Sequence, residues 1–446
     1  LPLSDGLPAG VIYSFQFDNK SPAEPDTMKT DKNPMELRID LRQAIYALTD
    51  ALDLVGVDEV GHGKRVGFMA MECARALQLD EEARIKLFHA ALLHDCGVSS
   101  TAVHRHLVDE FEWDHAEEHS ITGYELLQSF PPLASLAPAI RYHHTRWEEL
   151  KELELEPQDA LFASLIFLVD RVDALTCPHY GKDLLMARHE IRRRIAALRD
   201  TLFAPDAVDA FLQASSAEAF WLTLEPPHLE RFLFDMEREH QPQPISFGEL
   251  KQLARVFAHI VDAKSHFTVE HSDGVASLAR YLAEQMGLPP ASCEKIEVAG
   301  LLHDLGKLKV PDEILDKPAA LNEQDRSVML RHSFESYQIL RRIEGLEEIA
   351  LWAAFHHEMP TGNGYPFHAS AGELGTEARI IAVADVFQAL AQDRPYRGAM
   401  SCRAIMAIMW QLVEEGHLDR EVVAVVARDP EQSWQRATMQ RVKSAS

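Results

Sequence analysis

One ordered set of histidines and aspartates occurs twice along this chain of 446 residues. In the first half it reads His62, His94-Asp95, His119, His143-His144 and Asp170; in the second, His271, His303-Asp304, His332, His356-His357 and Asp385. The step from the first His to the His-Asp pair is 32 residues in both halves, and that from the single His to the His-His pair is 24 in both. A repeat offset of about 209 residues requires two similar folds in tandem, each long enough to bury its own core.

Both folds read as helical. Leu41, Ile45, Leu48 and Leu52 recur at three- or four-residue steps, as do Val66, Met69, Ala70, Cys73 and Leu77, and again Val275, Leu278, Leu282 and Met286; that is the stripe of an amphipathic helix. Convincing strand alternation is nearly absent, so the expected class is all-α. Pro226-Pro227 and the prolines at 242 and 244 are the strongest breakers in mid-chain, and place a linker near residues 238–247. The first module then covers residues 36–240 and the second 248–428, opened by a helical lead-in at 248–263. Residues 1–35, proline-bearing and without helical period, read as a weakly ordered leader or linker, and 429–446 as a weakly ordered tail.

Composition narrows the function. A formal charge of -26 opposes binding to a nucleic-acid polymer, whose affinity rests on Lys and Arg against phosphates; a small anion remains compatible, because divalent ions reverse the local field. No apolar run reaches the roughly 18–20 residues that span a bilayer, so no membrane partner is expected. Cys73, Cys96, Cys177, Cys293 and Cys402 lack paired spacing and are odd in number, as reduced thiols of a cytoplasmic protein would be.

The second half carries the fuller chemistry. His303-Asp304 follows the apolar run Val298-Ala299-Gly300-Leu301-Leu302, with Gly306 expected to terminate that helix. Adjacent ligands on a helix point about 100° apart, so one neighbour can hold one ion while the other leans toward a second. Imidazole with carboxylate suits Mn, Fe, Co, Ni or Zn better than Mg or Ca. Any one of these histidines alone would be an ordinary core or surface residue; the ordered set is hard to explain by packing. Two adjacent ions acidify a shared water and stabilise charge on phosphoryl oxygens, the requirements of phosphoester hydrolysis. Lys307 stands where it could contact a phosphate oxygen, or be a solvated Lys at a helix end.

The set His271-Ser272, His303-Asp304-Leu305-Gly306-Lys307, His332, His356-His357-Glu358, Gly362-Asn363-Gly364-Tyr365-Pro366, Asp385 and Asp393-Arg394-Pro395-Tyr396-Arg397 resembles an HD-GYP domain. That is the branch of HD phosphohydrolases that degrades cyclic dinucleotides. The resemblance covers about residues 250–430. It implies two tandem HD-type helical bundles with ligands converging in the bundle core, and two divalent transition metal ions, Fe or Mn first and Ni, Co or Zn as alternatives. The implied ligands are His271, His303, Asp304, His332, His356, His357 and Asp385, with Asp304 bridging. Asp304 and Lys307 would be catalytic; Lys307, Gly364, Tyr365, Pro366, Arg394 and Arg397 would hold the substrate, although the Arg pair would serve equally in surface salt bridges. The glycines flanking Asn363 would let the loop approach a flat base or a partner protein.

Two departures bear on activity. Thr361 replaces the Asp that usually organises the loop, and Phe267, four residues before His271, cannot supply a third metal with the Glu that some members carry, although Glu270 is near. The expectation is a two-metal site that cuts cyclic di-GMP, or cyclic GMP-AMP, to the linear dinucleotide. The alternatives are a non-catalytic receptor or adaptor docking a diguanylate cyclase (GGDEF) partner through the loop, and an HD hydrolase of nucleoside phosphates. The first half keeps every ligand type, His62, His94, Asp95, His119, His143, His144 and Asp170, but has Val98 in place of Lys307, no Gly-Tyr-Pro loop and no Arg pair. It reads as a second metal site in a degenerate HD module that regulates, binds a ligand or forms a homodimer, or else as a structural duplicate with a hydrogen-bonded polar core.

Overall fold

The computed structural model describes residues 39–55, 61–109, 111, 115–264, 271–392 and 398–439, which fall in one compact unit. The stretch 1–35, read as a leader, lies outside the described residues. The fold is all-α as expected; among the described residues the one sheet is a two-residue antiparallel pair, Ile39–Asp40 against Pro244–Ile245. Leu41, Ile45, Leu48 and Leu52 face inward along the helix Leu41–Leu52, whose first turn is capped by the Asp40 carboxylate accepting from the Arg42 N–H at 3.1 Å. The helix His62–Ala76 buries Val66, Met69, Ala70 and Cys73, and His271–Gln285 buries Val275, Leu278 and Leu282. No helix among the described residues is long and apolar enough to cross a membrane. The five cysteines are free thiols.

Each half is organised around one interior helix, Pro157–Thr176 in the first and Thr376–Ala391 in the second. Every residue from Phe162 to Asp173 is buried. A helix that is apolar all round belongs to the interior, so the few polar side chains on it face other side chains and not water. His62–Ala76 packs against Pro157–Thr176, and His271–Gln285 against Thr376–Ala391. This arrangement brings the first histidine and the last aspartate of each set together.

The mid-chain breakers act differently from a simple linker. Pro226 and Pro227 open the helix Pro226–Glu239, where a missing N–H costs nothing. The chain then pairs with Ile39–Asp40, and Arg42 donates to the carbonyls of Glu237 (2.9 Å) and His240 (2.6 Å). The halves also meet elsewhere: Glu344 N–H donates to Gln43 Oε1 at 3.0 Å, and Arg342 pairs with Asp50.

The expectation of a weakly ordered tail is corrected for residues 430–437. Pro430–Ala437 is a helix with Ser433 and Ala437 buried, packed on His271–Gln285 and Thr376–Ala391. Its one-turn buried face was too short to show as periodicity. Gly306 likewise does not cap a helix. Pro290–Leu302 ends before His303, and Gly306 lies in the 3-10 turn Leu305–Lys309 with ordinary backbone. A Cβ there would lie 2.0 Å from the His332 carbonyl oxygen; Gly97, its counterpart, meets the His119 carbonyl at the same 2.0 Å. Glycine is needed because each His-Asp turn is pressed onto the backbone of the next histidine.

Candidate metal centre

In the second half the seven expected residues converge. Within 4.8 Å of one another lie donor atoms of His271, His303 and Asp304, of His332, His356 and His357, and of His303, His356 and Asp385. Asp304 stands between the clusters. Its Oδ2 is 3.5 Å from His271 Nε2 and 3.2 Å from His303 Nε2, while its Oδ1 is 3.5 Å from His332 Nε2 and 3.8 Å from His356 Nε2. Asp385 Oδ1 lies 3.4 Å from His271 Nε2. One carboxylate with each oxygen facing a different group of imidazoles has the form of a bridge.

The ring orientations follow from the backbone. His303, His332 and His356 each donate through Nδ1 to the carbonyl three residues earlier, Gly300 at 2.8 Å, Met329 at 2.7 Å and Ala353 at 2.6 Å. The Nδ1 of His271 donates to Gln388 Oε1 at 2.6 Å. Each ring is thereby fixed as the tautomer whose Nε2 lone pair points inward, the form a metal ligand requires. His271 Nε2, His303 Nε2 and Asp304 Oδ1 are buried and have no hydrogen-bond partner, a costly state for a core that held no ion.

The electrostatics agree. Burial holds the imidazole of His332 down to about 4 and that of His357 to about 3, so both are neutral donors at pH 7. Burial opposes the charged form of His271 too, but Asp304 and Asp385 outweigh it and raise this ring to about 9. The field that holds a proton there is the field a divalent cation would meet. Burial works against ionised Asp304, yet His303, Lys307 and His271 keep it well below the ordinary carboxylate range. The residues present therefore fit bound divalent metal.

Lys307 forms an ion pair with Asp304 Oδ2 at the rim of the cluster. The Gly-Tyr-Pro loop folds back over the His-His pair: Tyr365 N–H donates to the His357 carbonyl at 3.2 Å, and the two rings lie 4.8 Å apart. Burial and the nearby Asp304 and Asp385 push the Tyr365 phenol up, so it remains a donor. Gly362 has φ +74, as expected for a glycine loop. Gly364 serves a different end, because a Cβ would lie 2.4 Å from Glu358 Cα; the loop rests on the turn that carries His356 and His357. Thr361 does not leave it unorganised. The buried Glu358 accepts from the N–H groups of Phe367 (2.6 Å) and Ala369 (3.0 Å). Arg394, Arg397, Phe267 and Glu270 lie outside the described residues.

The first half repeats this geometry. Asp95 Oδ2 lies 3.6 Å from His62 Nε2 and 3.4 Å from His94 Nε2, and its Oδ1 3.3 Å from His119 Nε2 and 3.9 Å from His143 Nε2. Donor atoms of His62, His94 and Asp170, and of Asp95, His119, His143 and His144, again lie within 4.8 Å of one another. Val98, in the place of Lys307, is buried. Arg171 is also buried and claims Asp170 Oδ2 at 2.8 Å, where the second half has the apolar Val386. Sequence reading quoted Glu358 beside the His-His pair without giving it a role, and missed Arg171 and Gln388 as parts of these sites. The only available signal was position, since Gln388 and Asp173 each stand three residues after the last aspartate.

A family profile described as HD domain matches residues 255–422, and another so described matches residues 60–175. Over 406 residues, 90% of this chain and 94% of the relative, the sequence is 40% identical to the 3′3′-cGAMP-specific phosphodiesterase 1 of Vibrio cholerae. It is 36% identical over 200 residues, 44% of this chain and half of the relative, to a cyclic di-GMP phosphodiesterase response regulator of Xanthomonas campestris. Among solved structures, that of a cyclic GMP-AMP-specific phosphodiesterase of V. cholerae, V-cGAP3, shares the fold with a TM-score of 0.60 at 24% identity, over 88% of this chain and 97% of that one. Fold and site thus define a tandem HD-domain protein, the class of metal-dependent phosphohydrolases. The chain belongs to the HD-GYP family of cyclic-dinucleotide phosphodiesterases within that class.

Proposed function

We propose that the second half, residues 248–428, hydrolyses a 3′3′-linked cyclic dinucleotide to its linear form. The supporting observation is the bridging placement of Asp304 between two inward-facing groups of imidazoles, beside Lys307 and Tyr365. Likeness over nearly the whole length to a relative named for 3′3′-cGAMP moves that substrate ahead of cyclic di-GMP, which the motifs alone had placed first.

His271, His303, Asp304 and Asp385 would hold one ion and His332, His356, His357 and Asp304 a second, each Fe or Mn by donor chemistry, with Ni, Co or Zn also suited. When bound, such a pair supplies an acidified water and charge stabilisation at phosphorus. Lys307 contributes a mobile cation that can leave Asp304 for a phosphate oxygen. Tyr365 contributes a phenol donor and a ring wall, and Glu358 keeps that wall in place. Residues 36–240 form a second module with its own candidate centre at His62, His94, Asp95, His119, His143, His144 and Asp170. It lacks a cation at Val98, and Arg171 occupies part of Asp170, so turnover is assigned to the second half.

The test is direct. Full-length protein loaded with Mn or Fe should convert 3′3′-cGAMP, and more slowly cyclic di-GMP, to linear dinucleotide, and Asp304→Asn should abolish both reactions. Binding without turnover by the wild type would instead establish a receptor.

A further inference from the structure

The two halves orient their first histidine by opposite means. In the first, His62 Nδ1 donates to Asp173 Oδ2 at 2.7 Å, and this buried carboxylate is neutralised by Arg65, whose Nε and Nη2 donate to Asp173 at 2.7 and 2.9 Å. In the second, Gln388 stands in the place of Asp173, and Gly274, three residues after His271 as Arg65 is three after His62, stands in the place of the arginine. The exchange is concerted. A buried carboxylate needs its cation, whereas an amide needs none, and the missing cation leaves room for other groups. The room is filled: a Cβ on Gly274 would lie 2.2 Å from the Ala437 carbonyl oxygen of the terminal helix and 3.0 Å from Gln388 Cγ.

An amide can do something that Asp173 cannot. A carboxylate only accepts, but a glutamine accepts at one end and donates at the other. Gln388 Oε1 takes the His271 proton at 2.6 Å, and Gln388 Nε2 donates to Gln392 Oε1 at 3.3 Å. Gln392 caps the interior helix, its own N–H returning to the Gln388 carbonyl at 3.0 Å. In sequence it immediately precedes Asp393-Arg394-Pro395-Tyr396-Arg397.

We propose that Gln388 is a positioning residue with two tasks: its carbonyl aims His271 Nε2 into the candidate metal centre, and its amide N–H anchors Gln392, the helix cap that in sequence precedes Arg394 and Arg397, the pair that the family resemblance assigns to substrate. One neutral side chain thus ties a candidate metal donor to the cap of the interior helix. The first task rests on the geometry alone; the second rests on the phosphodiesterase reading.

Three variants of the full chain separate the tasks. Gln388→Leu removes both hydrogen bonds, Gln392→Leu removes the acceptor of Gln388 Nε2 and leaves the bond to His271, and the double variant removes both side chains. Mn affinity is read by chelator competition, with Asp304→Asn defining the part that belongs to the second half; KM and kcat are read with 3′3′-cGAMP. Circular dichroism confirms folding of each variant. Gln388→Leu should weaken Mn binding at that centre by about 10- to 100-fold, the usual effect of losing a ligand's outer hydrogen bond. Gln392→Leu should keep Mn affinity within about twofold while KM rises about 5- to 10-fold, and at saturating Mn the double variant should rise no further, since both changes break one link. Unchanged Mn affinity in folded Gln388→Leu overturns the first task. Unchanged KM in Gln392→Leu, or additive rises in the double variant, overturns the second. Were the wild type to bind Mn but turn over no dinucleotide, the phosphodiesterase reading would fall. The competition titration would still decide the first task, and calorimetric dinucleotide affinity would replace KM for the second.

Discussion

Lys264 and Asp312 form an ion pair of 3.2 Å at the point where the segments following the two His-Asp pairs meet. The Lys264 ammonium is buried at the end of the helix Phe247–Lys264, and also donates to Thr101 Oγ1 at 3.0 Å and to the Ser99 carbonyl at 3.2 Å. Asp312 in turn accepts from Ser100 Oγ at 2.8 Å. Burial lowers the Lys264 pKa and Asp312 opposes that, so the cation depends on its partner. Removing one member of a buried pair costs about 3–5 kcal/mol. Asp312→Ala should therefore lower the unfolding midpoint strongly, while the double variant Lys264→Met, Asp312→Leu recovers most of the loss. Thermal melts of the wild type and these two variants check this, and a double variant no more stable than Asp312→Ala would show that the two residues do not act as a pair.

Lys307 offers a sharper probe of the chemistry than a ligand does. Its ammonium competes with any cation for Asp304 Oδ2, so Lys307→Met should leave Mn affinity equal or tighter. The same change removes the mobile charge available to a phosphate oxygen, an effect worth about 100-fold in kcat/KM for a donor of this kind. Metal titration beside steady-state kinetics on one preparation reads both. Loss of metal together with activity would show instead that Lys307 is structural.

Glu358 is expected to matter through the loop. Its carboxylate satisfies two backbone N–H groups, those of Phe367 and Ala369. Glu358→Ala would leave both unpaired and cost roughly 2–4 kcal/mol locally. The predicted outcome is a loop cut readily by protease and a raised KM, with the metal content of the centre unchanged, measured by limited proteolysis and metal analysis.

What the sequence disclosed depended on whether a residue's role is carried by its type and spacing or by its neighbours in space. The candidate ligands were legible because core packing does not generate His and Asp at repeated intervals, and the helices because a stripe such as Ile45, Leu48 and Leu52 reports its own burial. Gln388 was not legible, since an amide acquires its meaning only from His271 above it and Gly274 beside it. Arg171 was hidden for a similar reason: next to Asp170 in sequence, it becomes informative only once it is buried with that carboxylate. Gly306 was read as a helix end because glycine commonly has that use, whereas the His332 carbonyl that excludes a Cβ is distant in the chain. The terminal helix escaped notice because Ser433 and Ala437 are small residues whose burial no hydropathy pattern reveals.

His89 is expected to give the chain a pH-dependent stability independent of either candidate metal centre. The ring is buried beside Phe88, and burial, then the neighbouring Arg42 and His240, hold it down to about 4 against an ordinary 6.5, with only Asp40 opposing. For a histidine whose folded value is depressed, the stabilisation is complete above the unfolded value near 6.5 and is lost as pH falls through about 4. Over that window the unfolded chain takes up a proton that the folded chain refuses, a difference of about 3 kcal/mol. His89→Gln cannot titrate. The stability of the wild type relative to this variant should therefore decline by about that amount between pH 6.5 and 4 and stay level between pH 7 and 8. Urea unfolding of both proteins across this range measures the difference; a constant offset would mean that His89 is protonated equally in both states.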